Sequence, residues 1–313
     1  MKNFSLKNLV SELPSKDKIL IIGLGFDTRC LNIANALNDS VSKTIGLVNL
    51  HSINETSGNL DKFNKYKNSI VIGNEPISTM GLLDNLDKET NDINNDLLVD
   101  ITSMSREMLL SLLAFLDEKL LISRTIFLNN CAESYGDWLS KGVLEVRSVL
   151  GYSGVLYPSR KLHLVILAGF EEERVMSIIE QFEPNKITIG YGDGNSVIDE
   201  ALEKTNIGNF RTIKRALLER LGYSETNINE FDFSSTDPAS VKLTLEEILG
   251  SSFDDHNIVI SPLNTKISSL GVGLYALEHN EVQICYAEAE IYNYPNYATA
   301  SDIVQAFSVE KSL

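Results

Sequence analysis

Cysteine is scarce in this chain: Cys30, Cys131 and Cys285 are the only three in 313 residues. They are widely spaced, odd in number and accompanied by no CxxC pair or Cys/His cluster. Neither a disulfide framework nor a zinc site is encoded, and a reducing compartment is the expected setting. Long apolar runs are also missing. The opening MKNFSLKNLVSELPSKDK holds no stretch of signal-peptide length, and nothing later approaches the ~18 uninterrupted apolar residues that a spanning helix needs. The expected location is cytoplasmic, with no membrane partner. Positive charge is in deficit, with 27 Lys and Arg against 43 Asp and Glu, a net charge of −16. Such a field repels phosphodiester backbones, so direct nucleic-acid binding is not expected.

Catalytic signatures are absent as well. The chain has no G-x-S-x-G, no G-x-x-x-x-G-K-[ST] and no H-E-x-x-H. His51, His163, His256 and His279 are scattered, and His163 opens an apolar run, so no histidine is assigned a catalytic role. The GLG of Gly23 to Gly25 opens like a dinucleotide fingerprint, but the third glycine would fall at Thr28. No NAD site, no other cofactor and no metal is expected.

What is present is a core-forming composition, 43% hydrophobic against 22% charged, over a length of about two domains. KILIIGLG (Lys18 to Gly25) is a continuous apolar run ending in glycine, which predicts a strand buried on both faces. CLNIANAL (Cys30 to Leu37) follows at helical spacing. KTIGLVNL (Lys43 to Leu50), KNSIVIG (Lys67 to Gly73), DLLVD (Asp96 to Asp100) and TIFLNN (Thr125 to Asn130) predict further strands, with a helix over Met108 to Leu116. Strands alternating with helices predict an α/β fold with a parallel, Rossmann-like sheet.

The second half repeats the first. HLVILAGF (His163 to Phe170) aligns with ILIIGLGF (Ile19 to Phe26) at an offset of 144, and KTIGLVN aligns with ITIGYGD at the same offset. DLLVDITSMSRE from Asp96 aligns with NIVISPLNTKIS from Asn257 at an offset of 161, which places about 17 extra residues within Asn206 to Ser251. The competing explanation is that any two parallel βα units look alike. The alignment predicts two related Rossmann-like halves facing each other, 1–150 and 151–313, with Val146 to Lys161 as the connection.

Open parallel sheets bind ligands beyond the carboxyl ends of their strands, where helix N-termini point outward. The residues there are Gly25-Phe26-Asp27-Thr28-Arg29 and Gly169-Phe170-Glu171 through Arg174 after the first strands. After the later strands come Asp100 to Arg106, with Ser103 and Ser105, and Ser261 to Lys266, with Asn264 and Thr265. Asp193 stands in the glycine-rich turn GYGDGN. Arg29, Arg106, Arg174 and Lys266 gathered at one edge would focus positive potential on a small phosphate or carboxylate, with the neutral side chains as added donors. The alternative pairs Arg29 and Arg174 with Asp27 or Glu171 to Glu173 in the first helical turns. The tyrosines of NYPNYATA (Asn293 to Ala300) either stack on a base or belong to a packed tail.

With GFDTR after the first strand and DITSMSR after the later one, the arrangement resembles the CARF family, the Rossmann-like sensors of cyclic oligonucleotides, and its two-copy relative, the SAVED domain. Both belong to prokaryotic antiphage defence. In that family these two loops contact the ligand and two domains form one site. The resemblance therefore implies that GFDTR faces GFEEER and DITSMSR faces SPLNTK. Of the family's glycine-rich turn and threonine-lysine pair, only Thr265-Lys266 is found here. With both halves consuming the chain, the effector would be another polypeptide or an oligomer of this one. Three functions follow as expectations. The first is a sensor or regulatory protein capturing a phosphorylated, nucleotide-like anion and signalling to a protein partner. The second is an enzyme cleaving a nucleotide phosphodiester with Asp27, Asp100 or Glu171 as base or metal ligand. The third is an acidic structural subunit of a complex.

Overall fold

The computed structural model describes residues 1–13, 17–48, 53–90, 96–193 and 200–309. His51, the end of KTIGLVNL and the Gly194-Asn195 end of GYGDGN lie outside these residues. The chain divides into two α/β units, Met1–Asp137 with Asn293–Leu313, and Trp138–Tyr292.

In the first unit β1 (Lys2–Ser5) and α1 (Leu9–Glu12) lead into β2 (Ile19–Leu24), α2 (Asn32–Leu37), β3 (Lys43–Val48), α3 (Ile53–Phe63), β4 (Ser69–Ile72), α4 (Thr79–Thr90), β5 (Leu97–Asp100), α5 (Arg106–Glu118) and β6 (Thr125–Tyr135). In the second, β7 (Ser140–Lys141) and β8 (Glu145–Ser153) precede β9 (Lys161–Leu167), α6 (Glu172–Phe182), β10 (Lys186–Gly192), α7 (Glu200–Glu219), β11 (Ile228–Phe233), α8 (Pro238–Leu249), β12 (His256–Pro262), α9 (Lys266–Glu278), β13 (Gln283–Glu288) and β14 (Ile291–Tyr292). The chain then returns to the first unit as β15 (Ala298–Ser308).

The first sheet runs β1-β15-β6-β5-β2-β3-β4 and the second β11-β10-β9-β12-β13-β8. Reversing the second gives β8-β13-β12-β9-β10-β11, the same order from β15 onward. In each, five strands are parallel and the strand beside β6 or β13 is antiparallel. Both units are Rossmann-like. The central strands β2 and β9 are apolar on both faces because both faces are covered. Leu20, Ile22 and Leu24 enter one core with Ile33, Leu37 and Phe63, while Leu164 and Ile166 pack with Val175, Ile179 and Phe210.

Chain order and spatial order part at the sixth strand. The segment after β6 supplies β8, which pairs with β13, while the segment after β13 supplies β15, which pairs with β6. Each repeat thus lends its sixth strand to the other repeat's sheet. Val146 to Ser153 is accordingly a strand and not a connection. Val149 and Tyr152 are its buried positions, and Gly151 at φ 93° takes up the irregular register opposite Gln283 to Cys285. A division at 150/151 would cut β8, and the chain passes between units at Asp137/Trp138 and again at Tyr292/Asn293.

Strand pairing also tests the repeat's register. Ile22 stands opposite Asp100, and Ile166 opposite Ser261, as the two offsets require. In the second strands Ile22 faces Gly46 whereas Ile166 faces Ile189, so the match of Gly46 with Gly190 is one residue out of step. The extra length of the second half lies chiefly in α7, 20 residues against 11 for α3.

Candidate functional site

In the first unit, Asp27 caps a short 3-10 turn by accepting from the Arg29 backbone N–H at 2.9 Å. Its carboxylate also takes the Arg29 guanidinium through Nε at 3.0 Å and Nη2 at 2.6 Å. Nη1 donates to the backbone oxygen of Asn130 at 3.3 Å. Both residues are buried. Burial pushes the Arg29 pKa down, but the hydrogen bond and charge of Asp27 outweigh it and leave the guanidinium more firmly protonated. Asn59, on α3, holds the loop from behind, its Nδ2 donating to Gly25 O at 2.8 Å.

The second unit builds the same bracket. Arg174, 2% exposed, pairs with Glu171 at 2.8 Å through Nη1, and its Nη2 donates to Ala287 O. Leu98 pairs with Ile126 and Val259 with Gln283, so Asn130 and Ala287, each four residues further on, are equivalent positions. The two matched arginines therefore adopt the ion-paired arrangement, each inside its own unit. Each also lies near a tyrosine ring, Arg29 at 6.0 Å from the centroid of Tyr135 and Arg174 at 5.3 Å from that of Tyr286.

The two loops at each sheet's switch point touch. A Cβ on Gly23 would come within 2.6 Å of Met104 Cγ and 2.8 Å of its backbone N, and one on Gly169 would collide with Leu263 O. Ser103 donates to Gly23 O in the first unit, and Asn264 donates to Ala168 O at 2.6 Å in the second. Asp100 turns inward, accepting from the Thr102 N–H at 2.9 Å.

Just beyond, Ser105 and Thr265 cap α5 and α9, accepting from Met108 N and Ser268 N at 3.1 Å each. Arg106 and Lys266 are the first residues of these 13-residue helices, half-buried in both cases. Two cations and two hydroxyls thus stand at equivalent helix starts, where backbone N–H groups favour anions.

The remaining predicted residues lie around these loops. Phe26 meets Tyr294 and Tyr297 edge-on, at 4.7 and 5.1 Å between ring centroids, so NYPNYATA packs against the first-strand loop before entering β15. Phe170 is half-buried, and the Asp193 N–H donates to Phe233 O at 2.9 Å. Among the described residues no three His, Cys, Asp or Glu side chains are grouped to hold a metal ion. None of the described helices is long and apolar enough to cross a membrane. A cavity of about 350 Å³ lies beside β4, lined by Ile70, Ile72, Ile77, Asn85 and Lys88 among others.

Sequence reasoning missed Asn130 and the Ser234-Ser235 pair. Asn130 is fully buried. Its N–H donates to Thr102 Oγ1 at 2.8 Å, and its Nδ2 donates to Ser301 O and Ile303 O, both at 3.0 Å. No local pattern marks it. FDFSSTDP did carry a signal, an aromatic strand running into a serine cap and an Asp-Pro helix start.

No family model matches the chain, and no curated protein matches it. Solved structures with some likeness include the functionally unknown protein PA1789 from Pseudomonas aeruginosa PAO1, at 11% identity over 89% of this chain and 93% of that one, with a TM-score of 0.27. The cytoplasmic domain of a prokaryotic cation chloride cotransporter follows at 10% over 90% and 99%, TM-score 0.24. Haemonchus contortus phosphoethanolamine N-methyltransferase 1, in complex with phosphoethanolamine and S-adenosylhomocysteine, gives 9% over 91% and 67%, TM-score 0.24. Likenesses this low carry no argument about what the chain does.

Proposed function

We propose that this chain is a ligand-binding regulatory protein that takes up a small phosphorylated, nucleotide-like anion at the carboxyl ends of its strands and signals to a protein partner. The observation that carries the reading is the matched pair of helix starts, Ser105-Arg106 and Thr265-Lys266, at equivalent strand ends of two Rossmann-like units. A hydroxyl, a cation and a helix N-terminus together suit a phosphate. The buried brackets of Arg29 and Arg174 hold the adjacent loops in place and are supports, not ligand contacts.

The same geometry disfavours the phosphodiester-cleaving alternative. Asp27 and Glu171 are each engaged by a buried arginine, and Asp100 turns inward to accept from a backbone N–H, so the two loop acids serve as ion-pair partners. The intracellular, antiphage setting implied by the resemblance to CARF and SAVED sensors belongs to the same proposal.

The test is binding of inorganic phosphate and of nucleoside monophosphates, followed by thermal shift and native mass spectrometry. Wild type is expected to bind at least one of them, and an Arg106→Ala/Lys266→Ala variant of unchanged melting temperature is expected to lose it. Equal binding by wild type and variant, or none by wild type, overturns the reading.

A further inference from the structure

In the second unit the strand ends after β10, β11 and β12 carry a cluster of neutral polar groups. Ser234 Oγ accepts from the N–H groups of Thr236 and Asp237 at 3.3 and 3.0 Å. Ser235 Oγ donates to Asn264 Oδ1 at 3.3 Å, and Thr265 Oγ1 donates to Ser235 O at 2.7 Å. Asn264 Oδ1 also accepts from Thr265 N–H at 2.9 Å. These bonds close on one another and leave the cluster without a net charge of its own.

One member breaks the pattern. Asn206, on the second turn of α7, is 9% exposed, and its Oδ1 accepts no hydrogen bond. The amide stands over Gly192 at the end of β10. Its Nδ2 is 3.5 Å from the point a Gly192 Cβ would occupy, and Ser235 Oγ crowds the same point. A buried amide oxygen without a donor is costly, on the scale of a lost hydrogen bond. An apolar residue of the same size would remove that cost, so its presence calls for a donor brought from outside. The torsion that swings an asparagine amide is broad and soft, which lets the pair of atoms turn to meet one.

We infer that Asn206 reads an uncharged donor–acceptor edge, an N–H beside a carbonyl or ring nitrogen, such as a nucleobase or a carboxamide presents. The inference rests on the binding reading above and deepens it. Within the second unit, the Thr265-Lys266 helix start takes the anionic part of the ligand, and the neutral cluster takes its uncharged part. The location agrees with the rule for open α/β sheets, in which ligands sit beyond the carboxyl ends of the strands. Asparagine pairs bidentately with such an edge, as it does with adenine in nucleic-acid recognition.

The test uses the full chain and uncharged probes: adenosine, guanosine, cytidine and uridine for the base, and nicotinamide for the amide alone, each at millimolar concentration. At least one is expected to bind by calorimetry. Asn206→Leu should weaken it at least ~10-fold, the loss of one good hydrogen bond, and should melt no lower than wild type without ligand. Asn206→Asp, nearly isosteric, keeps an acceptor and loses the donor, so it should weaken the same probe and guards against a Leu variant that fails to fold. Binding of nicotinamide but not of nucleosides assigns the edge to an amide, and the reverse assigns it to a base. No binding by wild type, or binding unchanged in both variants, overturns the inference. Phosphate binding measured on the same variants keeps its failure separate from that of the anion reading.

Discussion

Arg174 holds in the second unit the place that Arg29 holds in the first. Each guanidinium joins a carboxylate of its own loop to the carbonyl of an equivalent residue two strands away in its sheet, Asn130 O on β6 for Arg29 and Ala287 O on β13 for Arg174. The spacing differs, with Asp27 two residues and Glu171 three residues before its arginine. What the two units share is the bracket itself, rebuilt from a different acid.

Removing either arginine is expected to be strongly destabilising, because it leaves a carboxylate, buried in Asp27 and largely buried in Glu171, without its charged partner. Arg29→Ala and Arg174→Ala should each cost about 3–5 kcal/mol, and replacing both members of a pair by apolar residues, as in Arg29→Met/Asp27→Leu, should restore most of it. Urea unfolding of the single and double variants measures this. A loss below about 1 kcal/mol would place these pairs with ordinary surface salt bridges.

The three thiols should be inert in the folded protein. Burial pushes Cys30 up to about 12, Cys131 to about 11 and Cys285 to about 12, and each is buried inside its unit. A chromogenic disulfide reagent at pH 8 is expected to titrate no thiol in native protein and three after denaturation. Rapid native reaction of any one would contradict the packing around it.

The parallel strands were legible because their burial on both faces leaves a continuous apolar run, as in ILIIGL of β2 and LVIL of β9. The brackets were legible in part. Arg29 and Arg174 stand out in the sequence as matched cations, but residue types alone do not choose between pairing with first-turn acids and holding an anion. Asn130 was not legible, since four of its contacts reach residues 98 to 173 positions away. The exchange of β8 and β15 was hidden for a similar reason. VRSVLGYS has too few apolar positions to stand out, and which sheet a strand joins depends on partners far along the chain. Asn206 gave no signal because an asparagine on a helix ordinarily faces water.

Stability should fall with acid through His163. Burial first, then the charges of Lys186 and His256, lower its pKa to about 3, and its Nε2 lies 2.7 Å from Thr188 Oγ1. Above pH 6.5 the residue is neutral folded or unfolded and contributes nothing to pH dependence. Between 6.5 and 3 the unfolded chain takes up a proton that the folded one refuses, so stability drops as pH falls. At pH 5 the accumulated loss is about 2 kcal/mol relative to pH 7.5. Urea unfolding at the two pH values should show this loss in wild type, and His163→Gln should show a loss smaller by about the same amount. Identical pH dependence in the two proteins would exclude His163 as its source.

The second unit should fold by itself. Trp138–Tyr292 is one uninterrupted segment that contains every strand of its sheet, and the pairing of β7 with β14 brings its two ends together. Met1–Asp137 alone lacks β15, which pairs with both β1 and β6 and whose Ser301 and Ile303 carbonyls receive the buried amide of Asn130. That fragment is expected to be unfolded or aggregated, since β6 is left as an open edge. Because the Gly136 N–H reaches Tyr297 O at 3.1 Å, a short flexible linker from Asp137 to Asn293 should restore the first unit as a single chain. Circular dichroism and cooperative urea unfolding of the three fragments check the set. A disordered 138–292 fragment would mean that the second sheet depends on the first, and a well-folded 1–137 fragment would mean that β15 is dispensable to it.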